Sequence, residues 1–257
     1  MWIMEIKQRP KHRKNARKCT EYTPYKDTLS SGSDLSAIRI SYNADERDNT
    51  MSQYTYELRD NAATLETFEW DNVWWEQANK QDIARVLYIG DSISCATRGI
   101  ATTSSDGKIL FDGFGTSKAL DNPFLIDSIR MFAKQQKYRH AILFNNGLHG
   151  WHLDDDVQYL YYYEEAVKFL LDEFKDTPIF IVLTTSVSDT ERDQRVKHRN
   201  KIAANIAAKY GLPVIDLYST SVKFAEFRAK DGVHYNSDGY RKFAEQIVSA
   251  LENIDMK

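Results

Sequence analysis

The chain has 257 residues, of which 42% are hydrophobic and 28% are charged, which is typical of a globular protein rather than of a disordered chain. Its length suits one α/β domain with a large core. The formal net charge of −3 gives no field toward nucleic acid or an anionic membrane, and no apolar run approaches the ~20 residues of a spanning helix. We therefore expect neither nucleic acid nor a membrane as a partner.

The compartment and the oligomeric state stay open. Cys19 and Cys95 are too few for a disulfide framework and lie in unlike contexts. Residues 1–4 are too short for the apolar core of a secretory signal, and no cleavage pattern follows them. We expect either a cytoplasmic protein or the processed form of a secreted one.

The first 78 residues are predicted to lie outside the main domain. Residues 1–20 hold seven Lys and Arg against Glu5, a charge pattern that would suit a polyanion-binding arm. They lack interleaved aromatic residues and a folded basic face, so we interpret them as a flexible tail. Residues 21–78 are predicted to form a small β-rich extension, because residues 37–42 and 52–58 alternate apolar and polar side chains.

Three tryptophans, Trp70, Trp74 and Trp75, precede the first strand of the main domain. We interpret them as a staple that holds the extension to the core, since buried aromatic side chains dominate protein cores. A platform for stacking sugars is the alternative.

Strands and helices alternate over residues 79–257, the predicted main domain. The predicted strands cover residues 85–89, 109–111, 140–144, 178–183 and 213–217. One predicted helix begins at Ser92, and four others cover residues 123–136, 155–174, 191–210 and 237–254. This alternation predicts a three-layer α/β/α sandwich with a flavodoxin-like parallel sheet of about five strands.

A serine follows the first of these strands directly. The apolar run Val86–Ile89 stops at Gly90, and Asp91 and Ser92 come next. Open α/β sheets carry their ligand crevice at the carboxyl ends of the strands, and Ser92 would be exposed there. By itself Gly-Asp-Ser is also ordinary turn chemistry.

An Asp-Gly-Val-His motif, residues 231–234, precedes the last predicted helix. One turn can bring Asp231 onto one ring nitrogen of His234, with Gly232 easing the backbone. The carboxylate would then fix the tautomer, and the other nitrogen could act as a general base. Because a serine hydroxyl needs such a base within hydrogen-bond reach, Ser92 and His234 together predict nucleophilic catalysis.

Together, these two motifs resemble those of the SGNH (GDSL-type) hydrolase superfamily, over roughly residues 80–255. The resemblance implies that Ser92 is the nucleophile, His234 the base and Asp231 the acid that orients it. The glycine block of the superfamily corresponds to Gly115, whose backbone N–H would join that of Ser92 in an oxyanion hole. Donors so placed are typically worth ~3 kcal/mol each in the transition state.

The third motif departs from the superfamily pattern Gly-x-Asn-Asp, in which the asparagine is the third oxyanion donor. Residues 145–150 read Asn-Asn-Gly-Leu-His-Gly. Alignment on Gly147 puts His149 in the place of the asparagine, whereas alignment on asparagine selects Asn146. A neutral histidine with its proton on Nε2 could also donate. We favour His149, because Gly147 marks the end of the strand, and keep Asn146 as the alternative.

No cofactor or metal is predicted. His149, His152 and Asp154 are residue types that bind zinc, but they lie in a predicted loop without a helical i, i+4 pair. Lys108 is not followed by the Ser or Thr of a phosphate loop, and the glycines near Gly115 lack the third glycine of a dinucleotide fingerprint.

The expected activity is that of a serine esterase. The polar and aromatic loop around Trp151, Tyr159 and Tyr161 suggests a small acyl group, acetyl first, on a small-molecule or glycan carrier, with Trp151 in the substrate pocket or else covering the core. Hydrolysis of a lipid-type ester or a thioester is the second hypothesis. A non-catalytic carbohydrate-binding relative and a polyanion-binding protein are the rivals from other classes.

Overall fold

The computed structural model describes residues 65–136, 138–153 and 155–252. The predicted tail of residues 1–20 and the strands predicted at residues 37–42 and 52–58 lie outside these ranges.

One mixed sheet organises the described residues. Its strands are β1 (Asp71–Trp74), β2 (Ala84–Gly90), β3 (Ile109–Thr116), β4 (Ala141–Phe144), β5 (Ile179–Val182) and β6 (Val214–Ile215). They lie in the order β1-β3-β2-β4-β5-β6. Strands β2 to β6 run parallel to one another, and β1 pairs with β3 in the antiparallel sense. The predicted α/β class and parallel sheet are confirmed, with β1 as an added edge strand.

Helices cover both faces of this sheet. They are α1 (Ser92–Ser104), α2 (Leu125–Gln135), α3 (Asp156–Glu173), α4 (Thr190–Tyr210), α5 (Leu217–Lys223) and α6 (Ser237–Leu251). One face packs against α2, α3 and the second half of α4. The other face packs against α1, the start of α5 and α6, which completes the three predicted layers.

The centre of the sheet explains its apolar sequence. In β2, Val86 and Tyr88 join the core on one face, while Leu87 and Ile89 join the core on the other. All four are at most 2% exposed. A parallel strand buried on both faces needs a continuous apolar run, which is why this segment could be predicted from its sequence.

Two segments differ from the prediction at the edge of the sheet. Strand β3 continues to Thr116, beyond the predicted 109–111, because β1 pairs along its second half. Strand β1 comes from residues assigned to the N-terminal extension, and all of its residues are exposed. An exposed edge strand carries no apolar alternation, so the sequence pattern did not indicate it.

The last predicted strand is also shorter than expected. Residues 213–217 were predicted as a strand, but only Val214–Ile215 pair with β5. The Asp216 side chain accepts a hydrogen bond from the Ser219 N–H at 2.9 Å and thereby begins α5. Helix α5 and a 3₁₀ turn at Ala225–Phe227 lie between this strand and residue 231, where the sequence predicted no helix.

The connections after β2 and β4 place the functional crevice. These strands are neighbours, yet β2 leads into α1 on one face and β4 leads toward α3 on the other. Where consecutive connections leave in opposite directions, an α/β sheet opens a crevice at its carboxyl edge. Ser92 and the loop after Phe144 both lie at this edge.

Candidate active site

Ser92 is the first residue of α1, directly after the helix cap. The cap is Asp91, whose Oδ1 accepts the Ile93 N–H at 2.8 Å. The Ser92 backbone N–H is among the first-turn donors that have no partner within their own helix, at the positive end of the helix dipole. Burial raises the pKa of the Asp91 carboxyl, an effect that the imidazoles of His149 and His234 partly oppose.

The Asp231–His234 turn forms as the spacing predicts. Asp231 Oδ1 accepts the backbone N–H groups of Val233 and His234, both at 2.9 Å. Its Oδ2 lies 2.7 Å from His234 Nδ1. The two backbone N–H groups, followed by the His234 side chain, lower the pKa of Asp231 to about 2. The carboxylate is therefore ionised and only accepts, so the proton lies on His234 Nδ1.

Glycine is required in this turn. Gly232 has a φ of +77°, and a Cβ there would lie 2.0 Å from the Ser188 Oγ. The Ser188 N–H also donates to the Gly232 carbonyl at 2.8 Å. This contact docks the turn against the segment after β5.

The packing of α6 on α1 carries His234 to Ser92. Ile93 of α1 and Phe243 of α6 belong to the same core. The Ser92 Oγ and the His234 Nε2, from residues 142 positions apart, lie at 2.8 Å. Because the His234 proton is on Nδ1, Nε2 presents its lone pair to the serine hydroxyl. The His234 side chain is 41% exposed, so a substrate in solvent can reach it.

Gly115 lies against the start of α1. A Cβ on Gly115 would lie 3.4 Å from the Asp91 carbonyl oxygen and 2.2 Å from Cys95 Sγ. Glycine therefore lets α1 approach β3 closely beside Ser92. The structure thus brings the predicted glycine to the predicted nucleophile, though inside a strand rather than in a loop after it.

Asn146 is held in contacts between loops. Its Nδ2 donates to the Lys118 carbonyl at 3.0 Å, and its own carbonyl accepts the Tyr159 hydroxyl at 2.7 Å. The residue is 6% exposed. These contacts commit part of its donor capacity to the fold, which favours His149 as the third donor.

His149 is paired with a carboxylate that the sequence did not indicate. Its Nδ1 lies 2.9 Å from Glu66 Oε2, and the Gly150 N–H donates to Glu66 Oε1 at 3.1 Å. Burial opposes the charge of Glu66, but the hydrogen bonds and the charge of His149 lower its pKa overall. Burial likewise opposes the charge of His149, but Glu66 and Asp91 raise its pKa overall.

This pairing indicates where the His149 ring carries a proton. An ionised carboxylate only accepts hydrogen bonds, so the Nδ1 of His149 carries a proton. A neutral His149 with its single proton on Nε2 would place two acceptors against each other. Nε2 can donate only when the ring is an imidazolium.

Glu66 reaches His149 because the chain before β1 is tied to the end of β3. The Trp70 N–H donates to Ser117 Oγ at 2.8 Å, and the Ser117 N–H donates to the Trp70 carbonyl at 3.1 Å. The Trp70 ring meets the His149 ring edge-on, with centroids 5.9 Å apart. No local signal marks Glu66, which is 83 residues from His149.

The three tryptophans of the predicted staple lie in different surroundings. Trp70 contacts His149, while Trp75 stacks on the core residue Phe132 at 4.3 Å. Trp74 is 50% exposed in β1. Only Trp75 has the core contact that a staple requires.

Arg199 supports the loop that carries His149. It projects from α4 and is 2% exposed. Its guanidinium donates, at 2.7 to 3.3 Å, to the carbonyl oxygens of Gly147, His149, Gly150 and Leu153. In the sequence this arginine belongs to a helix rich in charged residues, where no pattern marks it as buried, so its role was missed.

Trp151 covers this arginine. The Arg199 guanidinium lies 4.9 Å from the Trp151 ring and 4.6 Å from the Tyr159 ring, and Arg195 lies 5.2 Å from Trp151. Trp151 also packs against the core formed with α1 and α6. These contacts favour the second role considered for Trp151, in which it covers the core rather than lining the substrate pocket.

The second histidine of the loop has a carboxylate partner of its own, since His152 Nε2 lies 2.8 Å from Asp121 Oδ2. Asp154 lies outside the described residues. Among the side chains that the structure describes, no group of three or more His, Cys, Asp and Glu is placed to hold a metal ion. No described helix combines the length and the apolar character that crossing a membrane requires.

No protein-family model matches the chain. Solved structures with a similar fold include a lipase/acylhydrolase from Enterococcus faecalis, with a TM-score of 0.56 and 17% identity, covering 68% of this chain and 99% of that one. The acetyl xylan esterase AlAXEase has a TM-score of 0.51 and 17% identity, covering 65% and 99%. The C-terminal catalytic domain of the Streptococcus pneumoniae peptidoglycan O-acetyltransferase OatA, solved with a methylsulfonyl adduct, has a TM-score of 0.53 and 17% identity, covering 66% and 93%.

One curated relative matches a shorter part of the chain. It is the peptidoglycan O-acetyltransferase OatA of Listeria monocytogenes, 30% identical over 88 residues, which are 34% of this chain and 13% of that protein. The chain therefore spans only a small part of this relative. Together with the solved structures, the match confirms the predicted resemblance: the fold is that of GDSL/SGNH-type hydrolases.

Proposed function

We propose that this protein is a serine esterase that hydrolyses a small acyl ester, acetyl first, on a carbohydrate. The observation that carries the proposal is the 2.8 Å contact between Ser92 Oγ and His234 Nε2, with Asp231 on the other ring nitrogen at 2.7 Å. A nucleophile, a base and an orienting acid in this arrangement are what acyl transfer through serine requires.

In the proposed reaction, Ser92 Oγ attacks the ester carbonyl carbon while His234 Nε2 takes the hydroxyl proton. The negative charge on the carbonyl oxygen is stabilised by the backbone N–H group of Ser92, at the start of α1. His234 then gives its proton to the leaving alcohol, which leaves an acyl-serine. A water molecule that loses a proton to His234 attacks the acyl carbonyl, and the carboxylic acid and free Ser92 are released.

A carbohydrate carrier is supported by the surface beside the His149 loop. An open groove of about 590 Å³ there is lined by Asp121, His152, Gln158, Tyr161 and Tyr162, together with the aliphatic Leu153 and Val157. Tyrosine rings with carboxylate, amide and imidazole groups suit a polyhydroxylated ligand better than an acyl chain. The names of two structural neighbours, an acetyl xylan esterase and a peptidoglycan O-acetyltransferase, point to acetyl esters of glycans.

Transfer of the acyl group to an alcohol is the second candidate. It is favoured by the similarity to OatA both in sequence, over 88 residues, and in fold. Hydrolysis and transfer share the acyl-serine and differ in whether water or a sugar hydroxyl attacks it. Mass spectrometry of products formed with and without an oligosaccharide acceptor distinguishes them, since transfer yields an acetylated acceptor.

The first experiment locates the nucleophile. A labelled fluorophosphonate is expected to modify Ser92, identified by mass spectrometry, and Ser92→Ala should abolish both labelling and hydrolysis of p-nitrophenyl acetate. Ser104→Ala, at the other end of α1, is the matched control and should behave like the wild type. Equal hydrolysis by wild type and Ser92→Ala would refute the proposal.

The second experiment identifies the substrate. Release of acetate from acetylated xylo-oligosaccharides or acetylated peptidoglycan fragments is compared with hydrolysis of p-nitrophenyl octanoate and of acyl thioesters. Preference for the glycan esters supports the proposal, whereas preference for the octanoate or thioester supports the lipid-type alternative. Glycan binding that persists in Ser92→Ala, with no ester hydrolysed by either protein, would indicate a non-catalytic relative.

A further inference from the structure

The structure holds a second imidazole–carboxylate pair, formed by Glu66 and His149. The imidazoles of His149 and His234 both act electrostatically on Asp91, the residue directly before Ser92. Trp70, edge-on to His149, lies 3.6 Å from where a Cβ on Gly115 would be. These observations relate His149 to Asp91, which precedes the nucleophile, and through Trp70 to Gly115.

We infer that Glu66 holds His149 as an imidazolium, and that the Nε2–H of His149 is a side-chain donor to the oxyanion formed during attack by Ser92. This inference rests on the proposed function of the same site. His149 would be a catalytic residue, since it contacts the reacting oxygen. Glu66 would be a positioning residue, which acts through His149.

The hydrogen bonds of the pair support this assignment. Glu66 binds Nδ1 with one oxygen and the Gly150 N–H with the other, so both its position and its acceptor role are determined. The two nitrogens of an imidazole point to opposite sides of the ring, and Nε2 therefore points away from Glu66. A donor at that position exists only in the protonated ring.

The charges that face His149 also favour the protonated ring. Glu66 and Glu69 come from the segment before β1 and Asp91 from the start of α1, and all three raise the pKa of His149 against the effect of burial. Arg199 of α4 is the nearby cation, but its guanidinium binds the His149 backbone carbonyl, at 2.7 Å. His152, in the same loop, is paired with Asp121.

A charged donor suits the chemistry of this step. Hydrogen bonds in which one partner is ionised are roughly twice as strong as neutral ones. An imidazolium can therefore replace the asparagine amide that the SGNH pattern has at this place. Unlike an amide, it would make the reaction depend on pH on the alkaline side.

The kinetic test compares kcat and KM across pH for four proteins. His149→Ala should lower kcat about 100-fold with little change in KM, as expected for a donor used mainly in the transition state. His149→Asn should recover most of that loss and should lack the alkaline decline of the wild type. Glu66→Gln should move that decline to lower pH, because the charge that favours the imidazolium is gone.

Exposed residues provide the controls. Glu165→Gln and His198→Asn remove the same functional groups from the surfaces of α3 and α4, and both variants should keep the wild-type pH profile. Circular dichroism melting of every variant identifies any loss of folding. If His149→Asn is folded but is as inactive as His149→Ala, the inference is overturned.

A second readout measures the charge directly. Nitrogen-15 NMR of the histidine rings in Ser92→Ala should show that the His149 ring stays protonated at pH values above the ordinary titration range of histidine. Adding Glu66→Gln should shift the titration of His149 to lower pH. A His149 titration that Glu66→Gln does not change would also overturn the inference. Hydrolysis that persists in Ser92→Ala would instead defeat the proposed function, so the two failures are distinct.

Discussion

The two imidazole–carboxylate pairs beside Ser92 are built in opposite ways. Asp231 and His234 are three residues apart in one turn, and their side chains are 52% and 41% exposed. Glu66 and His149 are 83 residues apart, and their side chains are 30% and 16% exposed. The first pair is made by local backbone geometry and the second by the tertiary structure.

This difference determines what each pair depends on. Backbone N–H groups within the same turn hold Asp231, so the pair needs little beyond the turn itself. The Glu66–His149 pair needs the Ser117 anchor on one side and the Arg199 contacts on the other. Changes in the turn should therefore affect mainly activity, whereas changes around His149 should affect both activity and stability.

Loss of the base in the turn should have the largest effect. His234→Ala should lower kcat/KM by about 10⁴-fold or more, because Ser92 loses its only proposed proton acceptor. The melting temperature should change little, since the side chain is partly exposed. Steady-state hydrolysis of p-nitrophenyl acetate measures the first quantity and differential scanning fluorimetry the second. A decrease of less than tenfold would exclude His234 as the base.

Asp231→Asn should have the next largest effect, a decrease in kcat of about 10³- to 10⁴-fold. An amide can donate to Nδ1 and thereby favour the tautomer that cannot accept the Ser92 proton. Kinetics on the same ester measure this decrease in kcat. Asp238→Asn, on the exposed first turn of α6, is the control. Activity within threefold of the wild type would show that the carboxylate does not set the tautomer.

The same contrast explains which parts of the site could be predicted. Ser92, Asp231 and His234 lie in short motifs next to predictable elements. The spacing of Asp231 and His234 within one motif was enough to imply that these two side chains pair. The buried strand β2 was equally clear from its apolar run. In both cases the information lies within a few neighbouring residues.

Glu66 and Arg199 could not be predicted because their partners are distant in sequence. Glu66 lies in a polar segment, and Arg199 lies in a helix rich in charged residues. Neither pattern distinguishes a solvated charge from a buried one. The protonation of His149 could not be predicted for the same reason, since it depends on a carboxylate 83 residues away.

Loss of the support under the second pair should appear mainly in stability. Arg199→Met should cost about 2 kcal/mol or more, because four loop carbonyls lose their donor, and the melting temperature should fall by about 5 °C or more. Activity should also fall, as His149 loses its fixed position. Arg192→Met, on the exposed start of α4, is the control. An unchanged melting temperature would show that the loop does not depend on Arg199.

The smallest effects concern pH, where the two pairs should separate. The pKa of Asp231 is lowered from 3.8 to about 2, so its ionised form stabilises the fold above pH 4 and this contribution disappears as pH falls toward 2. The melting temperatures of wild type and Asp231→Asn should therefore converge at acid pH. The difference should be only a degree or two, because the carboxylate is exposed.

The pKa of His149 is shifted in the opposite direction. A raised pKa means that the charged pair with Glu66 stabilises the fold below pH 6.5, the ordinary value for histidine, and that this contribution is lost as pH rises through the raised value. The difference in melting temperature between wild type and Glu66→Gln should thus shrink toward alkaline pH, whereas that for Asp231→Asn should not. Melting curves of wild type, Asp231→Asn and Glu66→Gln from pH 2 to pH 10 measure how both differences in melting temperature change with pH. A Glu66→Gln difference that does not shrink toward alkaline pH, or an Asp231→Asn difference that does not shrink toward acid pH, would show that the two pairs do not carry their charges as the structure indicates.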